Sequence, residues 1–423
     1  MTTIVHAAGA AELLAAIPVL TGFTPRDSVV LLPFRGSRTA GALRFDLPAG
    51  SVGSAPPTGP PSPSSTRAHR GTEPAASTPA PTAEEFAATA IGLACRVPDT
   101  DALAIAVYAD GAAPAAGPTP DPDLPSLAAS GADAWLPDTR LPAASLVEEL
   151  VRRAEACGLH VVEALFVGPG SWADYRDPQA APHPLAEVPA PPSVPGFAGP
   201  APDQFSGTDL PSPGLFAAES VGRALLALER VLGSAAPGRT PPAAVERTDP
   251  RAQETALLLD DLPSFLEEVL DSPEALSPFA TAALVWILNR PALRDVALVQ
   301  WASSIDRGDQ ALAAQLGHGL SGSAVPPDIA GILIGHGPRP DCDRLGVALA
   351  LVRRTITLAP RLVRGGPLAA AAWLSWAIGR STHAAQYLDQ AQAMDPELTF
   401  AQLLRTVVDA GMLPDWSFRA AAA

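Results

Sequence analysis

Proline divides this chain into segments that can fold and segments that resist regular structure. More than half of its 48 prolines fall within residues 48–82, 111–142 and 176–214, among Ser, Thr, Gly and Ala. Proline removes a backbone donor and interrupts helices and central strands. Segments of this composition bury too little apolar surface to offset the entropy lost on ordering. We therefore predict inserts at 49–81 and 111–141 within one domain, and a disordered linker at 177–214 between two domains.

The segments of residues 1–176 that lie between the proline-rich stretches predict an α/β domain. Continuous apolar runs at 29–34, 102–109 and 159–167 are typical of strands buried on both faces. Helical periodicity occurs at 9–21, and capping-box patterns at 82–85 and 145–148 begin two further helices. Alternation of strands and helices predicts a mixed, largely parallel sheet flanked by helices.

Residues 215–423 have helical periodicity throughout and predict an all-α domain. The candidate helices are 215–233, 251–270, 278–289, 292–316, 342–358, 367–379, 382–394 and 399–410. Glycine or proline stands at most of the joins between them, as expected for helix ends.

The helical domain ends in a pattern with the spacing of a tetratricopeptide repeat, formed by Gly379, Ala384, Leu388, Ala391 and the pair Asp395-Pro396. The aromatic expected in the first helix is displaced to Trp373 and Trp376, and the preceding 34 residues do not repeat the pattern. One repeat cannot bury its own apolar face. We therefore predict a tetratricopeptide-like hairpin covered by neighbouring helices.

The charged residues exclude several classes of protein. All 28 basic residues are arginines, so the chain lacks the lysine of Schiff-base enzymes, phosphate loops and protein kinases. A net charge of −16 repels phosphate backbones, and we predict no binding to nucleic acid. No apolar run approaches the ~18 residues that would predict a membrane span.

The three cysteines, Cys95, Cys157 and Cys342, are far apart in the sequence and form no CxxC pair. This usage indicates neither a disulfide framework nor a zinc site, and it favours a reducing, cytoplasmic location. The histidines form no HxH or HExxH motif. We predict no metal, no cofactor and no catalytic residue.

Ligands of open α/β sheets bind beyond the carboxyl ends of the strands. The loops that follow the predicted strands begin at Arg35, at Asp110 and with the glycine-rich stretch "GPGSWADYR". The candidate ligand-binding residues in these loops are Arg35, Asp110, Ser171, Trp172, Tyr175 and Arg176. In the alternative interpretation, the aromatic residues of the last loop only cover the edge of the sheet.

Two further stretches have both a chemical and a structural interpretation. In "GFTPRDSVVLL", Asp27 and Ser28 form either a reactive pair or an Asx-type turn between helix and strand. No GxSxG elbow surrounds Ser28, so we favour the turn. In "IGHGPRPDCDR", His336 and Cys342 form either a catalytic pair or part of a helix start capped by aspartate, and we favour the cap.

"GFTPRDSVVLL", "GSWADY" and "WLSWAIGRSTHAAQYLDQAQAMDPELTFAQLLRTVVDAGMLP" resemble landmarks of the actinobacterial domain of unknown function 4192 family. The resemblance covers residues 4–47, 82–176 and 280–415. The proline-rich inserts depart from it, and a cysteine-proline stretch often found after the position of Tyr175 is missing. The family has no established activity, so the resemblance implies this architecture and supplies no catalytic residues.

The sequence therefore predicts a non-catalytic protein-interaction or scaffold protein that binds an unidentified protein through its helical domain, with a homo-oligomer left open. The alternative is an enzyme or a small-ligand-binding protein with its site at the strand ends of the α/β domain. A deep pocket lined by Arg35, Asp110 and Ser171 would favour that alternative.

Overall fold

The computed structural model describes residues 7–39, 41–51, 81–110, 141–177, 179–194, 197–234, 249–274 and 276–419. The chain divides into two compact units, the α/β unit Met1–Gln204 and the helical unit Phe205–Ala423. Nearly all of the predicted inserts at 49–81 and 111–141 lies outside the described residues. Within the described residues, no helix combines the length and apolar character needed to traverse a membrane.

The α/β unit is built on a seven-stranded mixed sheet in the order β2-β1-β4-β5-β6-β7, with β3 also paired to β1. Its strands are β1 (Ser28–Arg35), β2 (Arg38–Thr39), β3 (Leu43–Asp46), β4 (Ala102–Tyr108), β5 (His160–Val167), β6 (Ser171–Asp174) and β7 (His183–Pro184). The three predicted apolar runs form β1, β4 and β5, which lie at its centre.

Helices cover both faces of this sheet. Helix α1 (Ala10–Thr21) packs on one face, whereas α2 (Ala83–Ala94) and α3 (Ala144–Ala156) pack on the other. Alternate residues of β1 serve the two layers: Val30 packs towards α1, and Val29 and Leu31 pack towards α2 and α3. Burial on both faces explains why β1 is an unbroken apolar run.

The direction of β1 differs from the largely parallel sheet that the sequence predicts. β1 is antiparallel to β4, and among the strand pairs of the described residues only β4 and β5 are parallel. A continuous apolar run indicates burial but carries no information about direction. The carboxyl end of β1 therefore lies beside the amino end of β4.

The two predicted capping boxes of the α/β unit have different outcomes. Thr82 and Glu85 form a complete capping box at the start of α2, as predicted. The prediction at 145–148 is wrong: α3 begins at Ala144, and its N-cap Ala143 is left-handed and makes no side-chain cap. The amide of Ala143 donates to the Ser51 carbonyl, so a tertiary contact fixes this helix start.

The stretch 177–214 differs from the disordered linker predicted for it. It contains β7 and a short 3-10 turn, Leu185–Glu187. Phe23 and Ala201 form a parallel β-bridge, and the division between the two units falls after Gln204 rather than at residue 176. A backbone β-bridge and the hydrogen bonds of Gln204 hold this stretch against the α/β unit despite its proline content. Neither kind of contact requires apolar residues at a regular spacing, so the sequence pattern gave no sign of them.

The helical unit contains helices α4 to α14. They are α4 (Leu215–Ser234), α5 (Pro250–Leu258), α6 (Leu262–Asp271), α7 (Pro278–Leu288), α8 (Pro291–Trp301), α9 (Ile305–Ser321), α10 (Pro327–Leu333), α11 (Cys342–Leu358), α12 (Gly365–Ala377), α13 (Ser381–Met394) and α14 (Thr399–Asp409). The prediction of an all-α region is confirmed. Two predicted helices are each divided, because Asp261 caps α6 and Ser304 caps α9 within them.

Helix α12 is the centre of the helical core. Every residue from Gly366 to Ala377 is buried, and α13 packs along it after a turn at Gly379. Gly379 has a φ of +82°, a left-handed conformation that glycine adopts without strain. Ala384, Leu388 and Ala391 of α13 are fully buried in the same core.

Three tryptophans connect α12 to the segments around it. Each indole N–H donates to a backbone carbonyl at 2.8–2.9 Å: Trp373 to Leu333, Trp376 to Met412 and Trp416 to Ala377. The loop before α11 fits against this cluster, because a Cβ on Gly335 would lie 2.8 Å from both Pro414 Cα and Trp376 Cη2. Trp373, Trp376 and Trp416 are therefore core and anchoring residues.

Candidate functional site

The Asp27-Ser28 pair joins the start of β1 to the end of β4. Asp27 has a φ of +40°, and its Oδ1 accepts the amide of Asp110 at 3.1 Å. Ser28 is fully buried, donates to the Arg26 carbonyl and accepts from Arg44 Nε at 2.8 Å. Both side chains hold backbone and neighbouring groups in place, which supports the turn interpretation.

Arg26 itself is held by Gln204, the last residue of the α/β unit. Its backbone amide donates to Gln204 Oε1 at 3.1 Å, and its carbonyl accepts from Gln204 Nε2 at 3.0 Å. The guanidinium lies 3.6 Å from Asp110 Oδ2. The buried Gln204 therefore completes a polar connection around the start of β1 that the sequence did not indicate.

Arg35 and Asp110 lie at opposite ends of the sheet, because β1 runs antiparallel to β4. Arg35 pairs with Asp99 at 2.9 Å, and both side chains are about 70% exposed. The amide of Gly36 beside it donates to the Asp101 carboxylate. Among the described residues, Arg35 and Asp110 therefore do not share the edge of the sheet at which a parallel arrangement of β1 and β4 would have placed both.

Ser171 and Trp172 lie on β6, which pairs with the carboxyl end of β5. Ser171 is half-buried. The Trp172 side chain is buried and stacks on His183, with ring centroids 4.4 Å apart and planes 17° from parallel. Its indole Nε1 has no hydrogen-bond partner among the described residues. Trp172 thus covers the α1 face of the sheet, with its indole N–H buried.

Tyr175 lies on the opposite face, where α3 packs. Its hydroxyl donates to the Pro142 carbonyl at 2.6 Å, and its ring meets Phe166 edge to face. Burial raises the pKa of Tyr175 well above its usual range, so the phenol stays protonated. Tyr175 acts here as a packing residue that fixes the segment before α3.

The Arg176 guanidinium contacts two carboxylates and a β-bulge of β5. Residue Val162 is a β-bulge, and its carbonyl accepts from Arg176 Nη1 at 2.5 Å. Arg176 Nη2 lies 2.6 Å from Glu163 Oε2 and 3.1 Å from Asp174 Oδ2. The hydrogen bond to Asp174 raises the pKa of Arg176, whereas burial raises the pKa of Glu163. The Arg176 guanidinium is thus already paired with two carboxylates of the protein, those of Glu163 and Asp174.

Two small depressions flank Arg176. The Trp172 cleft, of about 260 Å³, lies on the α1 face, and its polar and aromatic lining comprises Glu163, Trp172, Asp174, Arg176, Asp177 and His183. The α3 cleft, of about 440 Å³, is more apolar and lies between α3, Ala164 and Tyr175. The four candidates from the glycine-rich loop thus lie on two faces, with Arg176 lining both clefts.

The remaining polar groups singled out from the sequence have structural partners. Asp341 is the N-cap of α11 and accepts the amides of Asp343 and Arg344, as predicted. His336 lies 3.4 Å from the Asp415 carboxylate. Among the described residues, no group of three or more His, Cys, Asp or Glu side chains could hold a metal ion.

One pair of reactive side chains escaped the sequence analysis. Cys95 and Cys157 are 62 positions apart, yet both are exposed residues at the ends of helices that pack on the same face of the sheet. A signal was present, since α2 and α3 each end in Ala-Cys shortly before one of the two parallel strands. The separation of the two cysteines along the chain conceals the pair, because only the packing of α2 and α3 on one face brings them to the same end of the sheet.

A family model described as Domain of unknown function (DUF4192) matches residues 11–193 and 215–415. Among curated proteins and among solved structures, none matches this chain.

Proposed function

The chain belongs to the family Domain of unknown function (DUF4192), and on that premise we propose that it is a non-catalytic interaction protein whose helical unit binds a protein partner. The observation that carries the proposal is the distribution of exposed apolar side chains. The fifteen large hydrophobic residues that are exposed within the described part of the chain all belong to the helical unit.

Single exposed apolar residues are normal, so the argument needs residues that share a face. Helix α9 provides such a set, here named the α9 stripe: Leu312, Leu316 and Leu320. These leucines are spaced by four and therefore follow one side of the helix. Leu312 packs partly against the core, whereas Leu316 is 58% and Leu320 89% exposed. The stripe thus extends from the core into solvent.

The stripe suits an apolar partner surface better than a charged one. Burying a leucine side chain contributes about 1.5–3 kcal/mol, so Leu316 and Leu320 together could supply much of a modest protein contact. The net charge of −16 disfavours nucleic acid as the partner. A second copy of the chain is the alternative occupant, which the experiment below distinguishes.

The α12–α13 hairpin supports this proposal as a scaffold. Its turn at Gly379 and its buried small residues Ala384 and Ala391 favour a tetratricopeptide-like packing of two helices. Because α12 is buried throughout, we assign the hairpin a structural role and place partner binding on α9. A cytoplasmic location and an actinobacterial source stay predictions.

The test compares the wild-type chain with the double variant Leu316→Gln and Leu320→Gln. Each protein is expressed in the cells that produce the wild type, crosslinked there and purified together with its bound partners. Ala313→Gln is the matched control, since it adds the same amide to an exposed position of α9 beside the stripe. We expect one protein to be enriched with the wild type and the control and lost with the double variant. Equal enrichment with all three would contradict the proposal.

Light scattering on the same purified proteins separates the two occupants. A wild-type dimer that becomes a monomer in the double variant would assign the stripe to self-association. A wild-type monomer that still loses its partner in the double variant would support a heterologous partner.

The Trp172 cleft favours a second function, the binding of a small cationic ligand. Glu163, Asp174 and Asp177 line the cleft together with a single guanidinium, that of Arg176, which pairs with Glu163 and Asp174, so the carboxylates outnumber the guanidinium. We expect putrescine to bind the wild type in calorimetric titration and Asp177→Asn to weaken it. Glu149→Gln on α3 is the control. Equal heats for wild type and Asp177→Asn would reject this function.

A further inference from the structure

Helices α2 and α3 bring two cysteines to the same end of the α/β unit. Both helices pack on one face of the sheet, and each precedes one of the two parallel strands, β4 and β5. The helices therefore run in the same direction and end side by side. Cys95 and Cys157 are the first residues after their respective last turns.

Small residues let these helix ends approach each other. Ala94 of α2 and Ala154 of α3 are fully buried in the shared core, one turn or less before the two cysteines. Alanine at such positions permits a short distance between helix axes. The fold thus holds the two cysteine backbones close without any contribution from the thiols.

The two cysteines are open to solvent. Both are free and exposed at the ends of their neighbouring helices. Burial first, and then the charge and hydrogen bond of Cys157, raise the pKa of Cys95. A raised pKa lowers the thiolate population of Cys95, so we assign Cys95 the second step of the exchange.

We propose that Cys95 and Cys157 form a redox-active dithiol that a low-molecular-weight disulfide oxidises to an intramolecular disulfide. The Cys157 thiolate attacks one sulfur of the oxidant, forms a mixed disulfide and expels the first small thiol. The Cys95 thiolate then attacks the Cys157 sulfur and expels the second. Two protein thiols are oxidised, the oxidant is reduced to two thiols, and the two protons end on these products.

The product would tie the end of α2 to the end of α3. The bond closes the chain from residue 95 to residue 157, a long loop, and bonds across long loops restrict the unfolded chain most. Cys342 belongs to the helical unit, whose sequence contains no second cysteine. It therefore serves as a reference thiol outside the α/β unit.

The test treats the purified full chain with increasing ratios of oxidised to reduced glutathione, followed by alkylation and mass spectrometry. We expect the free peptides of Cys95 and Cys157 to disappear together. One disulfide-linked peptide should replace them, lighter than their sum by two hydrogens, while Cys342 carries glutathione. Cys95→Ser and Cys157→Ser should each leave a mixed disulfide on the remaining thiol. Glutathione on all three cysteines of the wild type at full oxidation would overturn the proposal.

Thermal unfolding gives a second readout in the Cys342→Ser background, which prevents bonds between molecules through that residue. We expect oxidation to raise the Tm of the α/β unit by about 5–15 °C and dithiothreitol to reverse the rise. An unchanged Tm in a sample shown to contain the linked peptide would contradict the close native placement of the two sulfurs.

Discussion

Gly308, in the first turn of α9, lies against a buried amide. A Cβ added there would be 2.1 Å from Gln300 Oε1 and 3.0 Å from Gln300 Cβ, so Gln300 must move before an alanine fits. Its Nε2 donates to the Pro263 carbonyl at 2.8 Å and to Glu267 Oε1 at 3.1 Å. Arg344 in turn binds both oxygens of the Glu267 carboxylate. Displacing Gln300 therefore disturbs a connected group.

We expect Gly308→Ala to lower the free energy of unfolding by about 1–3 kcal/mol. Overpacking a fixed interior costs about 1–3 kcal/mol. Loss of one hydrogen bond of the buried Gln300 amide adds about 1 kcal/mol. The better helix propensity of alanine offsets about 1 kcal/mol. The close contact thus reverses the sign expected for glycine-to-alanine changes inside helices.

Gly317→Ala, in the same helix, is the matched control. Nothing lies within 4 Å of an added Cβ at this position, so we expect a gain of about 0.5–1 kcal/mol. Urea unfolding of both variants and the wild type measures the two shifts, which should have opposite signs. If Gly308→Ala matches or exceeds the wild type in stability, the argument from the Gln300 contact is refuted.

Three further changes test other parts of the fold. Asp27→Ala should lower the free energy of unfolding by about 0.5–2 kcal/mol, because it removes the acceptor for the Asp110 amide. Asp27→Asn keeps an acceptor and tolerates the left-handed backbone. Equal urea midpoints for the two variants would therefore contradict this role of Asp27. Ala384→Leu should cost about 1–3 kcal/mol in the buried α12–α13 core, and an unchanged Tm would argue against that packing. Burial acts to raise the pKa of Glu267, but hydrogen bonds, led by that of Arg344, outweigh it and lower the pKa. The contribution of Glu267 to the free energy of unfolding is therefore complete above its unfolded pKa of about 4.3, and it is lost as the pH falls through the folded pKa. Stability should fall more steeply from about pH 5 to pH 3 in the wild type than in Glu267→Gln.

The sequence predicted which segments form the strands and helices of the α/β unit better than it predicted the directions of the strands. Apolar runs located the three central strands, and the capping box of Thr82 and Glu85 located the start of α2. The antiparallel course of β1 depends on pairing with β4, a partner more than sixty residues away. Hydrophobic pattern records how deeply a strand is buried and not which way it runs. That missing information placed Arg35 and Asp110 together in the prediction.

The sequence located some of the residues that line the two clefts and missed others for related reasons. The glycine-rich loop does carry the residues around both clefts, because its composition indicated a loop that leaves a buried strand. Glu163 and His183 were missed, since one lies inside a strand and the other inside a proline-rich stretch. Tertiary contact also decided the start of α3, where Ala143 replaces the expected serine cap. Local sequence carries no signal for such contacts.

The anchoring of α12 by Trp416 has a consequence for the nascent chain. Residues 412–418 follow the helices of the helical unit in the sequence, yet they accept from Trp376 and donate to Ala377 and Gly335. At about 5–20 residues per second, the ribosome needs roughly 10–40 s to pass from Gln204 to this segment. The α/β unit can fold during that interval. Helix α12 is completed 35 residues before Met412, so its two tryptophans stay uncovered for about 2–7 s more. A chaperone that shields apolar nascent segments would therefore find α12 among its last targets on this chain.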